Sequence, residues 1–176
     1  MQQNLNVSHY NNGDLIPEVT DPSVWINLST GAWCYYENRS SNGTVYGKLY
    51  NWFAINDARG LAPEGWHVPA DSEWTILTDY LGGGSVAGDK MKEAGTSHWT
   101  SVTGNTGTNS SGFTALPGGY RSDYDGTFLI LGQNAFWWST TQTTSGIYAW
   151  NRYIQDEILG SAKYKINGFS VRCIKN

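Results

Sequence analysis

Asp71-Ser72-Glu73-Trp74-Thr75-Ile76-Leu77-Thr78-Asp79-Tyr80-Leu81, closed by Gly82-Gly83-Gly84, is the stretch on which the class of fold turns. Trp74, Leu77, Tyr80 and Leu81 recur at helical spacing, Glu73 sits in the first turn where the helix dipole favours a carboxylate, and the glycines stop the element. On its N-terminal side, residues 48–56 carry Leu49, Trp52, Phe53 and Ile55 at helical spacing, and Gly60 ends that run. Residues 33–36 form a short aromatic strand, residues 39–44 a loop, and Asn11-Asn12-Gly13-Asp14 a turn. On its C-terminal side, a weaker helical pattern covers residues 86–93. A Gly, Ser, Thr and Asn loop then fills residues 95–112. Strand patterns follow at 113–121, 127–131, 135–140, 148–155 and 168–174, separated by Gly-rich turns. Helices followed by a meander of strands define an α+β class.

The composition fits one domain over residues 1–176, which buries roughly 70% of its unfolded surface and needs no metal or disulfide to hold a core. Nine Trp, eleven Tyr and five Phe supply the bulk, beside 21 Gly and only 15% charged residues. Tyr and Trp with Ser, Gly and Asn are also the palette of recognition surfaces. A net charge of −4 and a pI near 5.2, with no basic stripe, exclude nucleic acid as a partner. No apolar run approaches the roughly 20 residues of a membrane span, so no membrane insertion is expected. Met1-Gln2-Gln3-Asn4 has no charged-then-apolar leader pattern, and export would need a leader outside this chain. Cys34 and Cys173 lie far apart; one disulfide and two buried thiols both fit their apolar surroundings.

Several segments together resemble one family. They are Gly47-Lys48-Leu49-Tyr50-Asn51-Trp52, Pro63-Glu64-Gly65-Trp66-His67-Val68-Pro69 through Glu73-Trp74, Leu116-Pro117-Gly118-Gly119-Tyr120-Arg121, Trp137-Trp138-Ser139-Thr140, and the closing Gly168-Phe169-Ser170-Val171-Arg172-Cys173. The ordered set is similar to the Fibrobacter major paralogous domain of surface lipoproteins from Bacteroidetes and Fibrobacteres. That resemblance covers about residues 4–175 and implies kinship with formylglycine-generating enzymes and with variable proteins diversified by retroelements. It implies a C-type-lectin-like fold: two helices packed on a twisted, mostly antiparallel sheet with long loops. It also implies an extracellular or cell-surface location, and a chain that starts inside the usual first strand. Relatives place Ser or Thr where Ala70 stands, so Asp71 or Ser72 is expected to cap the helix instead.

No catalytic centre is legible. His9, His67 and His98 are scattered, no His-x-x-x-His or Gly-x-Ser-x-Gly pattern occurs, and His67 reads as a structural, hydrogen-bonded residue. The formylglycine-generating relatives act through a copper-binding cysteine pair near the C-terminus, where this chain has Cys173 alone. Calcium-dependent lectins of the implied fold use a Trp-Asn-Asp strand; here Trp150-Asn151-Arg152 puts a cation in place of the acid. Asp123 and Asp125 flank Tyr124 in a turn and read as solvated. No enzyme activity, cofactor or metal is expected.

Binding remains. Strand alternation over residues 148–155 puts Trp150, Arg152 and Ile154 on one face and Asn151, Tyr153 and Gln155 on the other. The first face reads as core, with Arg152 needing a carboxylate or carbonyl partner. The second, continued by Asp156, Glu157, Lys163 and Tyr164, reads as a binding patch or as a plain solvated ribbon. In retroelement-diversified relatives the variable, ligand-contacting residues fall in the matching segment. Of Trp137 and Trp138, alternation leaves at most one free to stack on a ligand. The expected ligand-contacting set is Trp138, Tyr148, Asn151, Tyr153, Gln155, Asp156, Glu157, Lys163 and Tyr164, with Trp74, Trp150, Arg152, Cys34 and Cys173 structural. The expected function is a non-enzymatic recognition module on a bacterial surface or phage particle, taking a protein or glycan through residues 148–165. The alternatives are an assembly domain of a surface lipoprotein or pilus tip and, behind it, a calcium-dependent lectin or formylglycine-generating-type enzyme.

Overall fold

The computed structural model describes residues 1–100 and 106–176, so residues 101–105 of the expected polar loop lie outside the described residues. The described end of that loop is tied to the preceding helix, with the Thr108 N–H donating to the Asp89 carbonyl at 2.8 Å. Short helices α1 (Pro22–Trp25), α2 (Ser40–Tyr46) and α3 (Trp52–Ile55) alternate with strands β1 (Trp33–Cys34) and β2 (Leu49–Tyr50). Then come β3 (Trp66–His67), α4 (Asp71–Tyr80), α5 (Gly84–Met91), β4 (Tyr120–Arg121) and β5 (Phe128–Leu129). The chain closes with β6 (Ala135–Gln142), β7 (Tyr148–Ile154), β8 (Ile158–Tyr164) and β9 (Ile174–Lys175). The mixed helix and sheet content is the α+β class read from the sequence.

In place of one broad sheet there is an antiparallel meander, β6-β7-β8, and three antiparallel pairs, β1-β2, β3-β9 and β4-β5. The strands expected at 113–121 and 168–174 are mostly extended coil, joined to their neighbours by single bridges such as Tyr50↔Phe169 and Trp137↔Ser170. Helix α1, strand β3 and two longer elements were not expected. Helix α2 stands where a loop was read, and it contains Gly43, whose added Cβ would lie 2.1 Å from the Tyr35 ring. Strand β8 was not read as a strand, because Gly160-Ser161-Ala162 carry little β-propensity. Its pairing with β7 is nevertheless unbroken over seven residues.

The clearest helix forms as expected, from Asp71 to Tyr80. Its cap differs. Ala70 has no acceptor, and Thr141 of β6 takes the Asp71 N–H at 2.9 Å, while the Glu73 carboxylate accepts from the Ala70 N–H at 2.8 Å. Trp74 and Leu81 are buried and Tyr80 is 86% exposed, because 100° per residue turns Tyr80 about 120° away from Trp74.

Sheet β6-β7-β8 has apolar layers on both faces. Trp137 and Ile154 face α4 and α5 among Trp74, Met91 and Trp99, whereas Phe136, Trp138 and Ala149 face a second cluster with Trp33, Tyr50, Trp52 and Phe169. Trp138 pairs with Asn151 and Trp137 with Arg152 across the strands. Both tryptophans are therefore fully buried, and the expectation that Trp138 contacts a ligand is overturned. Five indole N–H groups fasten distant segments: Trp33 to the Ile16 carbonyl, Trp52 to Ser139, Trp99 to Ala115, Trp138 to Tyr50, and Trp137 to the Asn4 side chain.

Three buried cations, Arg121, Arg172 and Lys48, are held without a carboxylate among the described residues. The Arg121 guanidinium donates to the Val19, Thr20 and Gly126 carbonyls and lies 4.5 Å from the Trp25 ring centre. That of Arg172 donates to Asn4 Oδ1 and to the Met1 and Phe113 carbonyls, 4.2 Å from the Phe113 ring. Lys48 Nζ sits 3.9 Å from the Trp33 ring. Ring faces and carbonyl dipoles take the place of counter-ions.

Candidate functional site

Strand β7 positions the candidate site, and its alternation is as the sequence implies, but the covered positions are not. Asn151 is 0% exposed, because its face lies on the Trp138 cluster; its Oδ1 accepts from Ser161 Oγ of β8 at 2.7 Å. Trp150, expected in the core, is 36% exposed. Its side of β7 is covered only where α4 and α5 reach it. Ile154 and Ile158 are buried there, Arg152 lies at the margin, and Trp150 stands beyond.

Arg152 finds the partner its partial burial demands. Nε donates to Asp71 Oδ1 at 2.8 Å, and Nη2 donates to the Asp71 carbonyl at 3.1 Å and to Thr75 Oγ1 at 2.8 Å. Nη1 has no partner among the described residues. Across from it stands Gly160, where a Cβ would come within 3.3 Å of the guanidinium. Ala162 stands opposite Trp150, and Tyr164 opposite Tyr148, the two tyrosine rings 4.4 Å apart. Small residues at 160 and 162 thus place no large side chain against the indole from the β8 side, and Gly160 makes room for the guanidinium. The result is a strip of Arg152, Trp150, Tyr148 and Tyr164 along one face of the ribbon.

The structure brings together only part of the expected set. Tyr148 and Tyr164 join Trp150 on one face. Tyr153 lies on the other face, stacked on Phe136 at 5.6 Å, and Lys163 is exposed on that face too. Gln155, Asp156 and Glu157 are exposed at the β7–β8 turn, roughly 20 Å along the ribbon from Tyr148 at strand rise. Trp150 lies on the face the sequence reading gave it, but it is not buried there. The signal that could have shown this is the Gly160-x-Ala162 spacing, which leaves no large side chain on β8 to cover it.

The other chemistry-bearing residues are occupied structurally. His67 Nδ1 meets Asn176 Oδ1 at 2.6 Å and Nε2 meets Glu73 Oε1 at 3.0 Å; these bonds to Glu73 and Asn176 raise its pKa above the usual histidine value. His98 pairs with Glu93 at 2.8 Å. Cys34 and Cys173 are free thiols in different clusters, pushed by burial up to about 12 and about 11. Asp125 accepts from the Thr127 N–H and hydroxyl, closing its turn. Among the described residues no three His, Cys, Asp or Glu side chains gather as a metal site would need.

A family model described as the Fibrobacter succinogenes major domain matches residues 1–175. The chain belongs to this family. The Fibrobacter domain segments quoted from the sequence are its framework: the Gly47–Trp52 run forms β2 and opens α3, Pro63–Trp74 leads through β3 into α4, and Trp137–Thr140 lies in β6. Trp150 and β8 fall between those segments. Neither curated proteins nor solved structures gave a match.

Proposed function

We propose that this Fibrobacter domain is a non-enzymatic recognition module with a C-type-lectin-like fold, displayed on a bacterial surface or phage particle. It binds a protein or glycan through the β7–β8 ribbon, residues 148–165. The observation that carries the reading is Trp150. Of the nine tryptophans it is the most exposed, in a chain that buries seven of the others and half-buries Trp66. A rigid aromatic with an arginine and two tyrosines beside it is the make-up of a binding hot spot. Relative to the sequence reading, the contacting set loses Trp138 and Asn151 and gains Trp150.

The test is a glycan array run beside a cell-surface pull-down, with wild type and a Trp150→Ala, Tyr164→Ala double variant. Capture by wild type and loss of at least tenfold in the variant is the expected result. Equal capture by both would move the site elsewhere.

A further inference from the structure

The two edges of sheet β6-β7-β8 are finished differently. Along β6, the Trp138 N–H donates to the Ser170 carbonyl and the Thr140 N–H to the Pro69 carbonyl, so that edge is closed by neighbouring chain. Along β8, the direction of each peptide group follows from β7. The Trp150 carbonyl accepts from Ser139 Oγ and the Tyr148 carbonyl from the Thr143 N–H, so the even-numbered residues of β7 turn their backbone groups towards β6. Their odd-numbered neighbours therefore bond to Leu159, Ser161 and Lys163, and Gly160 and Ala162 aim N–H and C=O outward. Among the described residues nothing bonds to those four groups. Unpaired backbone donors and acceptors on a regular strand are a template for another strand. Proteins ordinarily blunt such an edge with proline, a bulge or shortness. β8 has no proline and no register shift, and its charged residue, Lys163, stands near one end.

We propose that the open edge of β8 takes an added strand from a protein partner. That strand is an extended segment with an apolar residue opposite Ala162 and a carboxylate opposite Lys163. The proposal rests on the recognition reading above and names its partner. Pairing opposite Ala162 puts the incoming side chain on the Trp150 face, in one row with Ala162 and Trp150, and the small Ala162 lets the two outer side chains meet. Lys163 lies on the opposite face, exposed and with no carboxylate of the described residues within ion-pair distance, so the next residue of the segment faces its ammonium group. The edge ends where α5 crosses it: a Cβ on Gly84 would lie 2.9 Å from the Ile158 carbonyl, and one on Gly88 2.8 Å from that of Asp156.

A second copy of β8 fits less well. In antiparallel self-pairing about Gly160, Ala162 would face Ile158, which is buried under α5. About Ser161 it would face Gly160, which has no side chain to offer Trp150.

The probe is an eight-residue peptide of alternating valine and glutamate, titrated into ¹⁵N-labelled protein. The control is the same peptide N-methylated at alternate residues on its bonding side. The expected result is binding with at least tenfold slower exchange of the Gly160 and Ala162 amides, and at least tenfold weaker binding of the N-methylated peptide. Ala162→Pro removes an outward N–H that β7 does not use, a change an edge strand tolerates, and weakens binding to the same degree. If Ala162→Pro unfolds the protein, the N-methyl comparison decides alone. Equal binding of both peptides, no binding at millimolar peptide, or protection of these amides by protein concentration alone, which signals self-pairing, would each overturn the proposal. Should the peptide fail while Trp150-dependent capture on the array persists, the added strand falls and the recognition reading stands; failure of both sinks both.

Discussion

Trp138 and Trp150 occupy neighbouring strands of one sheet, yet they are used in opposite ways. Trp138 is enclosed by Tyr50 and Phe169, with its ring 4.4 Å from that of Phe169 and its indole N–H bonded to the Tyr50 carbonyl. Trp150 has the small Ala162 across from it, no hydrogen bond from its indole N–H among the described residues, and about a third of its surface open to solvent. The two environments differ because Trp138 lies on the sheet face packed against the Tyr50 and Phe169 cluster, whereas Trp150 lies on the other face, beyond the part that α4 and α5 cover. A covered aromatic ring adds to stability; a partly exposed one contributes less to it. The comparison separates residues that hold the fold from residues the fold leaves available.

Four substitutions sharpen it, beginning with the largest loss. Trp138→Ala removes a fully buried indole and its bond to Tyr50, and unfolding in denaturant is expected to show a loss of about 3–5 kcal/mol. Arg172→Met keeps some apolar contact with Phe113 but takes donors from Asn4 Oδ1 and from the Met1 and Phe113 carbonyls. The same experiment should give a loss of about 1–3 kcal/mol, and a gain would show that rings and carbonyls do not hold this cation favourably. Thr141→Val deletes the hydroxyl that caps α4 from outside, at a cost of about 1 kcal/mol in melting experiments.

The smallest effect is a pH dependence. The pKa of His67 is raised in the folded state by Glu73 and Asn176, so its contribution is complete below the ordinary histidine value and is lost as pH rises through the folded one. Wild type minus His67→Gln should therefore fall in stability as pH rises above about 6.5, by under about 1 kcal/mol, because the pair is solvent-screened. A difference that grows with pH would contradict the bonding described.

What the sequence disclosed follows from where periodicity is strong. Helix α4 and strands β6 and β7 are legible because their patterns are long, and the partner of Arg152 was anticipated as a carboxylate or carbonyl and proved to be both groups of Asp71. Helix α2 was hidden by Ser, Asn and Gly, which favour turns when read locally; tertiary packing of Tyr35 on Gly43 overrides them. The Asn151 error has a different cause. Alternation tells which residues share a face, but it cannot say that a sheet is covered on both, and β7 has Trp138 on one side and Trp74 on the other. The alternation along β7 was therefore read correctly, but burial was misjudged at two positions: Asn151 is covered and Trp150 is partly exposed.

The central claim, that Trp150 belongs to binding and not to the core, is met most directly by Trp150→Ala measured for thermal unfolding and for capture of whatever wild type retains on the array. The account predicts a stability within about 1 kcal/mol of wild type together with loss of capture. A destabilisation as large as that of Trp138→Ala, or capture undiminished in a well-folded variant, would contradict it.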